Sequence, residues 1–156
     1  GIILIVVLLV SSFYVKQPSI EHLSFLSQDL INVFSTIKVK EINNPYLNSL
    51  ISDGTITNTD NTILQQIGEF WAKNQMDFAN RAVSNLTEPW VPSTLGFGVW
   101  IDNEHIYERN VNLTNSLVSS KKIMSGIIKG KPGSSKTRKD PPTLLGPAIF
   151  EVRVWE

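Results

Sequence analysis

Apolar residues fill the start of this chain without a break. Nine consecutive Ile, Leu and Val residues run from Ile2 to Val10, and across Gly1 to Val15 only Ser11, Ser12 and the hydroxyl of Tyr14 are polar. A helix built this way has no polar face, so it requires an apolar surround on every side. From Ile20 the pattern becomes one-sided: Leu23, Leu26, Leu30, Phe34 and Ile37 recur every three or four residues, with Glu21, Ser24, Ser27, Gln28, Asp29 and Asn32 between them. That spacing predicts an amphipathic helix. Pro18 lies between the two stretches and predicts a kink in a single long helix.

Turn formers follow, at Asn43, Asn44 and Pro45 and again from Ser52 through Asp53 and Gly54 to Asn61. They read as loops around a short apolar segment, Tyr46 to Ile51. Asp60 then has the position of an N-cap for a second helix from about Asn61 to Asn85, with Ile63, Ile67, Phe70, Trp71, Phe78, Ala82 and Leu86 as its stripe. Pro89 and Pro92 end it.

Period two takes over next. Leu95, Phe97, Val99 and Ile101 alternate with Thr94, Gly96, Gly98 and Trp100, predicting a strand with one buried face. Asp102-Asn103 is a tight-turn pair leading into a partner strand at His105 to Arg109. A third strand or a short helix covers Leu117 to Ile128, Lys129 to Pro142 is a loop by composition, and Phe150, Val152 and Val154 mark a terminal strand. Helices first and strands afterwards imply an α+β fold, an antiparallel sheet packed on the first helix. The expected division is a helix over residues 1–40 and an α+β head over residues 41–156.

Three readings compete for the opening segment. A cleaved secretory signal fits the length, with Val10-Ser11-Ser12 as its cleavage region, but no basic n-region precedes the apolar run. A buried core helix would have to be enclosed on all sides, more surface than one small domain spares. The third reading, an anchor or an element of a bundle built from many chains, supplies that surround. Fifteen helical residues rise roughly 22 Å against a hydrocarbon core of roughly 30 Å. The segment therefore either continues upstream or buries itself against something other than lipid.

Composition narrows the choices. The 156 residues contain no Cys, which excludes disulfide frameworks and thiolate metal sites, and charged residues make up only 18%. Formal charge sums to zero, yet residues 1–119 carry six basic and eleven acidic side chains, whereas residues 120–156 carry eight basic and three acidic. If folding keeps the two sets apart, identical copies attract head to tail, the heterologous geometry of rings and open filaments.

Candidate chemistry is sparse. Gly130 to Thr137 is one residue from the phosphate-cradling motif GxxxxGK[ST], but Ser135 replaces the second Gly, and Pro141 and Pro142 follow where a helix should start. The cations Lys129, Lys131, Lys136, Arg138 and Lys139 read first as a solvated loop and next as a contact with the acidic part of another copy; they lack interleaved aromatics, so nucleic acid is not an expected partner. His22 and His105, the only histidines, have no second strong ligand at helical or strand spacing. Asp53 to Asp60 is rich in oxygens but lacks the ligand order of a calcium loop. Ser119-Ser120 has no glycine frame for a nucleophile elbow. No catalytic residue, metal or cofactor is expected. Two acceptor sequons, Asn85-Leu86-Thr87 and Asn112-Leu113-Thr114, make Asn85 and Asn112 glycosylation candidates. Trp71, Trp90, Trp100 and Trp155 are expected in the core.

The charge-free run Gly1 to Val10, its passage into the Leu23 to Ile37 helix, and the closing segment Gly146 to Trp155 resemble archaeal type IV pilin-like proteins of the class III signal peptide group. The resemblance covers the first quarter and the last tenth of the chain. It implies an exported subunit, trimmed by a membrane peptidase, held in the membrane before assembly, and polymerised by the pilus assembly machinery into a cell-surface or extracellular filament. Its partners would be copies of itself, and its role structural, in adhesion or surface attachment. In that scheme Ile2, Ile3, Leu4, Ile5, Val6, Val7, Leu8, Leu9, Val10, Phe13 and Tyr14 make the subunit contacts of the filament core. Many bacterial pilins carry an acidic residue near the mature start that pairs with a neighbour's terminus; here no acidic residue stands between Gly1 and Glu21, a departure from that pattern. The alternative is a membrane-anchored extracytoplasmic binding domain that does not polymerise.

Overall fold

The computed structural model describes residues 20–109, 112, 116–128 and 143–156. The predicted kink at Pro18, the contact residues Ile2 to Val10 with Phe13 and Tyr14, and the basic Lys129–Pro142 segment lie outside the described residues.

Helix α1 (Ile20–Thr36) buries Leu23, Leu26, Ser27, Leu30, Ile31 and Phe34, the side that its three-and-four spacing requires. A single 3-10 turn, Val39–Glu41, follows. The segment expected to be loop and short apolar stretch is in fact helix α2 (Pro45–Ser52). Its start is set by Asn44, whose Oδ1 accepts from the Tyr46 and Leu47 amides at 3.0 and 3.2 Å, with Pro45 in the first helical position. Those two turn formers are therefore a helix cap.

The single helix expected over 61–85 is two, α3 (Ile63–Ala72) and α4 (Met76–Thr87). Asn74 takes the left-handed conformation at φ 56°. Its amide donates to the Trp71 carbonyl at 2.9 Å and that of Gln75 to Phe70 at 2.8 Å, the paired bonds of a Schellman stop. The N-cap is Thr62, not Asp60: the Thr62 hydroxyl accepts from the Gln65 amide at 3.2 Å while the Gln65 side chain accepts from the Thr62 amide at 3.0 Å. Asp60 instead pairs with Lys40 at 2.6 Å, and this cation holds its carboxyl below the usual range.

Strands β1 (Gly96–Ile101), β2 (Glu104–Arg109), β3 (Leu117–Ile128) and β4 (Thr143–Trp155) form one antiparallel sheet in the order β2-β1-β4-β3. Asp102 and Asn103, at φ 48° and 68°, close the β1–β2 hairpin as a turn with two left-handed residues. The helices cover one sheet face. Phe97, Val99 and Ile101 of β1 and Phe150, Val152 and Val154 of β4 point into that layer and are buried with Phe34 and Phe70. Phe34 meets Phe150 edge-on, with centroids 5.9 Å apart. Among the described residues the fold is α+β: four helices and one four-stranded antiparallel sheet. Helix α1 shares this core.

Candidate interaction surface

The sheet face turned away from the helices carries the most distinctive chemistry among the described residues. Gly96, Gly98 and Trp100 of β1 point there, beside Ile149, Glu151, Arg153 and Trp155 of β4 and Leu117, Ser119, Lys121 and Ile123 of β3. Two Trp side chains lie flat over glycines. A Cβ at Gly96 would fall 2.0 Å from the Trp155 indole, and one at Gly98 would fall 2.4 Å from the Trp100 ring. This face thus covers its own backbone with aromatic rings, and Gly96, Gly98 and Trp155 are buried.

Charge is arranged around those rings. The Arg153 guanidinium sits 4.1 Å from the Trp100 centroid, a cation–π contact. It also donates to both Glu151 oxygens, from Nε at 3.0 Å and Nη2 at 3.1 Å. That two-point pairing holds the Glu151 carboxyl below its ordinary value and raises Arg153. Lys121 approaches Glu151 only to 3.9 Å. His105 stands edge-on to Trp100 and 3.4 Å from Glu108.

Next to this strip lies bare hydrocarbon: Ile123 is 73% exposed and pairs across the ladder with Ile149, 48% exposed. On the helix layer Phe25 is 62% exposed. All three are apolar residues out of phase with the buried pattern of their own element. That signal is present in the sequence, because Ile149 alternates with the buried set and Phe25 falls outside the Leu23 to Ile37 stripe.

The remaining candidates do not converge. Asp53 accepts from the Thr55 amide, a local turn, and Asp60 is in its lysine pair. No group of three His, Asp or Glu residues among the described residues is placed to hold a metal. Asn85 is exposed on α4, with its Nδ2 donating to the Arg81 carbonyl at 2.8 Å. Its sequon partner Thr87 is 1% exposed and donates to Val83 at 2.8 Å. Asn112 is exposed. Of the four Trp residues expected in the core, Trp155 is buried, whereas Trp71, Trp90 and Trp100 are half-buried; the Trp71 indole donates to Glu104 at 2.7 Å. An open depression of about 410 Å³, lined by Asn74, Met76, Asp77, Phe78 and Arg81 among others, lies at the α3–α4 corner. Its one acid and one base belong to successive turns of the same helix.

No protein-family model, curated protein or solved structure matches this chain. No helix among the described residues is long and apolar enough to cross a membrane. What the described surface offers is aromatic, ionic and aliphatic contact area.

Proposed function

We propose that this chain is a structural subunit of a type IV pilus-like filament, exported and held in the membrane by its apolar opening before it assembles with copies of itself. One observation carries the reading: Gly1 to Val10 has no polar side and leads, within ten residues, into a helix whose inner face is the apolar spine of a four-stranded antiparallel sheet. A segment apolar all round is sheathed by like segments or by lipid. Among the described residues the head has a continuous apolar core that includes Leu23, Leu26, Leu30 and Phe34 of α1. Ile2 to Val10, with Phe13 and Tyr14, would then supply the filament core, and burial of their surface at about 25 cal/mol per Å² would drive association.

The test is removal of Gly1 to Val15. The truncated chain is expected to sediment as a monomer that still unfolds in one cooperative transition. A truncated head that still forms filaments would overturn the proposal.

A further inference from the structure

Two exposed spots on opposite layers of the head match in spacing and in charge. On α1 the buried residues Leu23, Leu26, Leu30 and Phe34 mark the sheet-facing side. At about 100° per residue, Phe25 lies about half a turn round from that side and points out of the helix layer. Glu21, also exposed, stands one turn earlier on the same outward side. On the far face of the sheet, Lys121 precedes Ile123 by two residues and shares its face, with Ile149 directly across. Glu21 and Phe25 are separated by about 6 Å along the helix, and Lys121 and Ile123 by about 6.6 Å along the strand. An acid followed by an apolar group on one layer meets a base followed by an apolar group on the other.

Within one copy these spots point in opposite directions and cannot touch. Lys121 keeps only a long approach of 3.9 Å to Glu151, whose two oxygens already accept from Arg153, and its side chain is 58% exposed, so it can reach a closer acid.

We infer that the outward side of α1 around Glu21 and Phe25 docks on the outer sheet face around Lys121, Ile123 and Ile149 of a second copy. The two surfaces differ, so the contact is heterologous and repeats along a row of heads instead of closing a pair. The inference extends the polymer reading from the opening segment to the heads. It rests on that reading for the rest of the association, since spots of this size fall well below the roughly 1,200–2,000 Å² of a self-sufficient interface. Assembly through the opening segments would raise the local concentration of heads enough for the weak contact to form.

The chain contains no Cys, which gives a clean background for thiol crosslinking. A disulfide needs Cα atoms within about 7 Å, too close for a helix lying on a sheet, so a short bis-maleimide is the better bridge. The double variant F25C/I123C of the full chain, treated in assembled material, is expected to give a ladder of covalent multimers. Each single variant should stay monomeric, and a mixture of the two singles should stop at dimers. Introducing Glu21→Lys into the double variant should suppress the ladder, and adding Lys121→Glu should restore it. A double variant that stays monomeric overturns the inference. So does crosslinking of I123C alone, which means sheet faces meeting each other, or of F25C alone, which means helices side by side. Electron microscopy of the same samples separates the two readings: filaments without a ladder remove this contact and leave the polymer, whereas a chain that gives neither filaments nor a ladder removes the polymer reading on which the contact rests.

Discussion

The Ser27 hydroxyl of α1 stands 2.7 Å from the Ser120 hydroxyl of β3, a polar tie within an otherwise apolar layer. Ser27 is fully buried and also bonds the Ser24 carbonyl at 3.1 Å; with that donor committed, Ser120 donates to Ser27. Farther along α1, Lys122 Nζ reaches the Ser35 hydroxyl at 2.9 Å. Hydrophobic contact alone lets a helix slide on a sheet, whereas these two bonds assign α1 one position along β3.

Ser27→Ala is expected to destabilise the head by about 1 kcal/mol, because it strands the Ser120 hydroxyl in a partly buried site. In a double-mutant cycle with Ser120→Ala, a coupling of about 0.5–1.5 kcal/mol is expected from urea unfolding. Strict additivity would mean that the pair does not hold the helix in place.

Thr62→Ala should cost about 1 kcal/mol through loss of the α3 cap. Asp60→Ala should leave the unfolding midpoint almost unchanged, because its lysine pair is open to solvent. The reverse ranking would return the cap to Asp60.

Acid sensitivity is expected to track Glu151. Its bonds from Arg153 lower the folded carboxyl below the ordinary value of 4.5, so the unfolded chain binds the proton more tightly. The resulting stabilisation is complete above about pH 4.5 and is lost as pH falls through the folded value. Burial pushes Asp29 the other way, so its titration opposes the loss. Denaturant unfolding of E151Q between pH 6 and pH 3, a range of about three units, should show a flatter acid limb than the parent. An unchanged slope would assign the effect elsewhere.

Glycan occupancy should differ between the two sequons. A transferase acting on the folded head would find Thr87 buried and bonded to Val83, and Asn85 on a helix instead of a surface loop; Asn112 is exposed. Peptide mapping is expected to leave Asn85 unmodified, and Asn85→Gln should change the intact mass of protein from its native source only by the one methylene that the substitution adds. A glycan on Asn85 would show that modification precedes folding.

The elements most legible in the sequence were those governed by local periodicity. Helix α1, the Gly96 to Arg109 hairpin and the last strand follow from apolar spacing and the Asp102-Asn103 turn. Helix α2 was hidden because Asn44-Pro45 serves equally as turn and as cap, and eight residues are too few for a stripe. The division of α3 from α4 escaped because the apolar stripe continues across Asn74, and only its positive φ interrupts the helix. Nothing local predicts that Trp100 shares Arg153 with Glu151. That constellation needs Gly98 opposite Arg153 and Trp100 opposite Glu151, a register between segments about fifty residues apart. Phe25 and Ile149 were visible as out-of-phase apolar positions, but which layer each leaves depends on how α1 is seated.

The measurement that bears most directly on the central claim is negative-stain electron microscopy of the full chain, in material sheared from the surface of cells that express it, beside cells expressing the chain without Gly1 to Val15. The account predicts thin filaments from the full chain and none from the truncated one. Full-length protein recovered only as single, membrane-bound heads would contradict it.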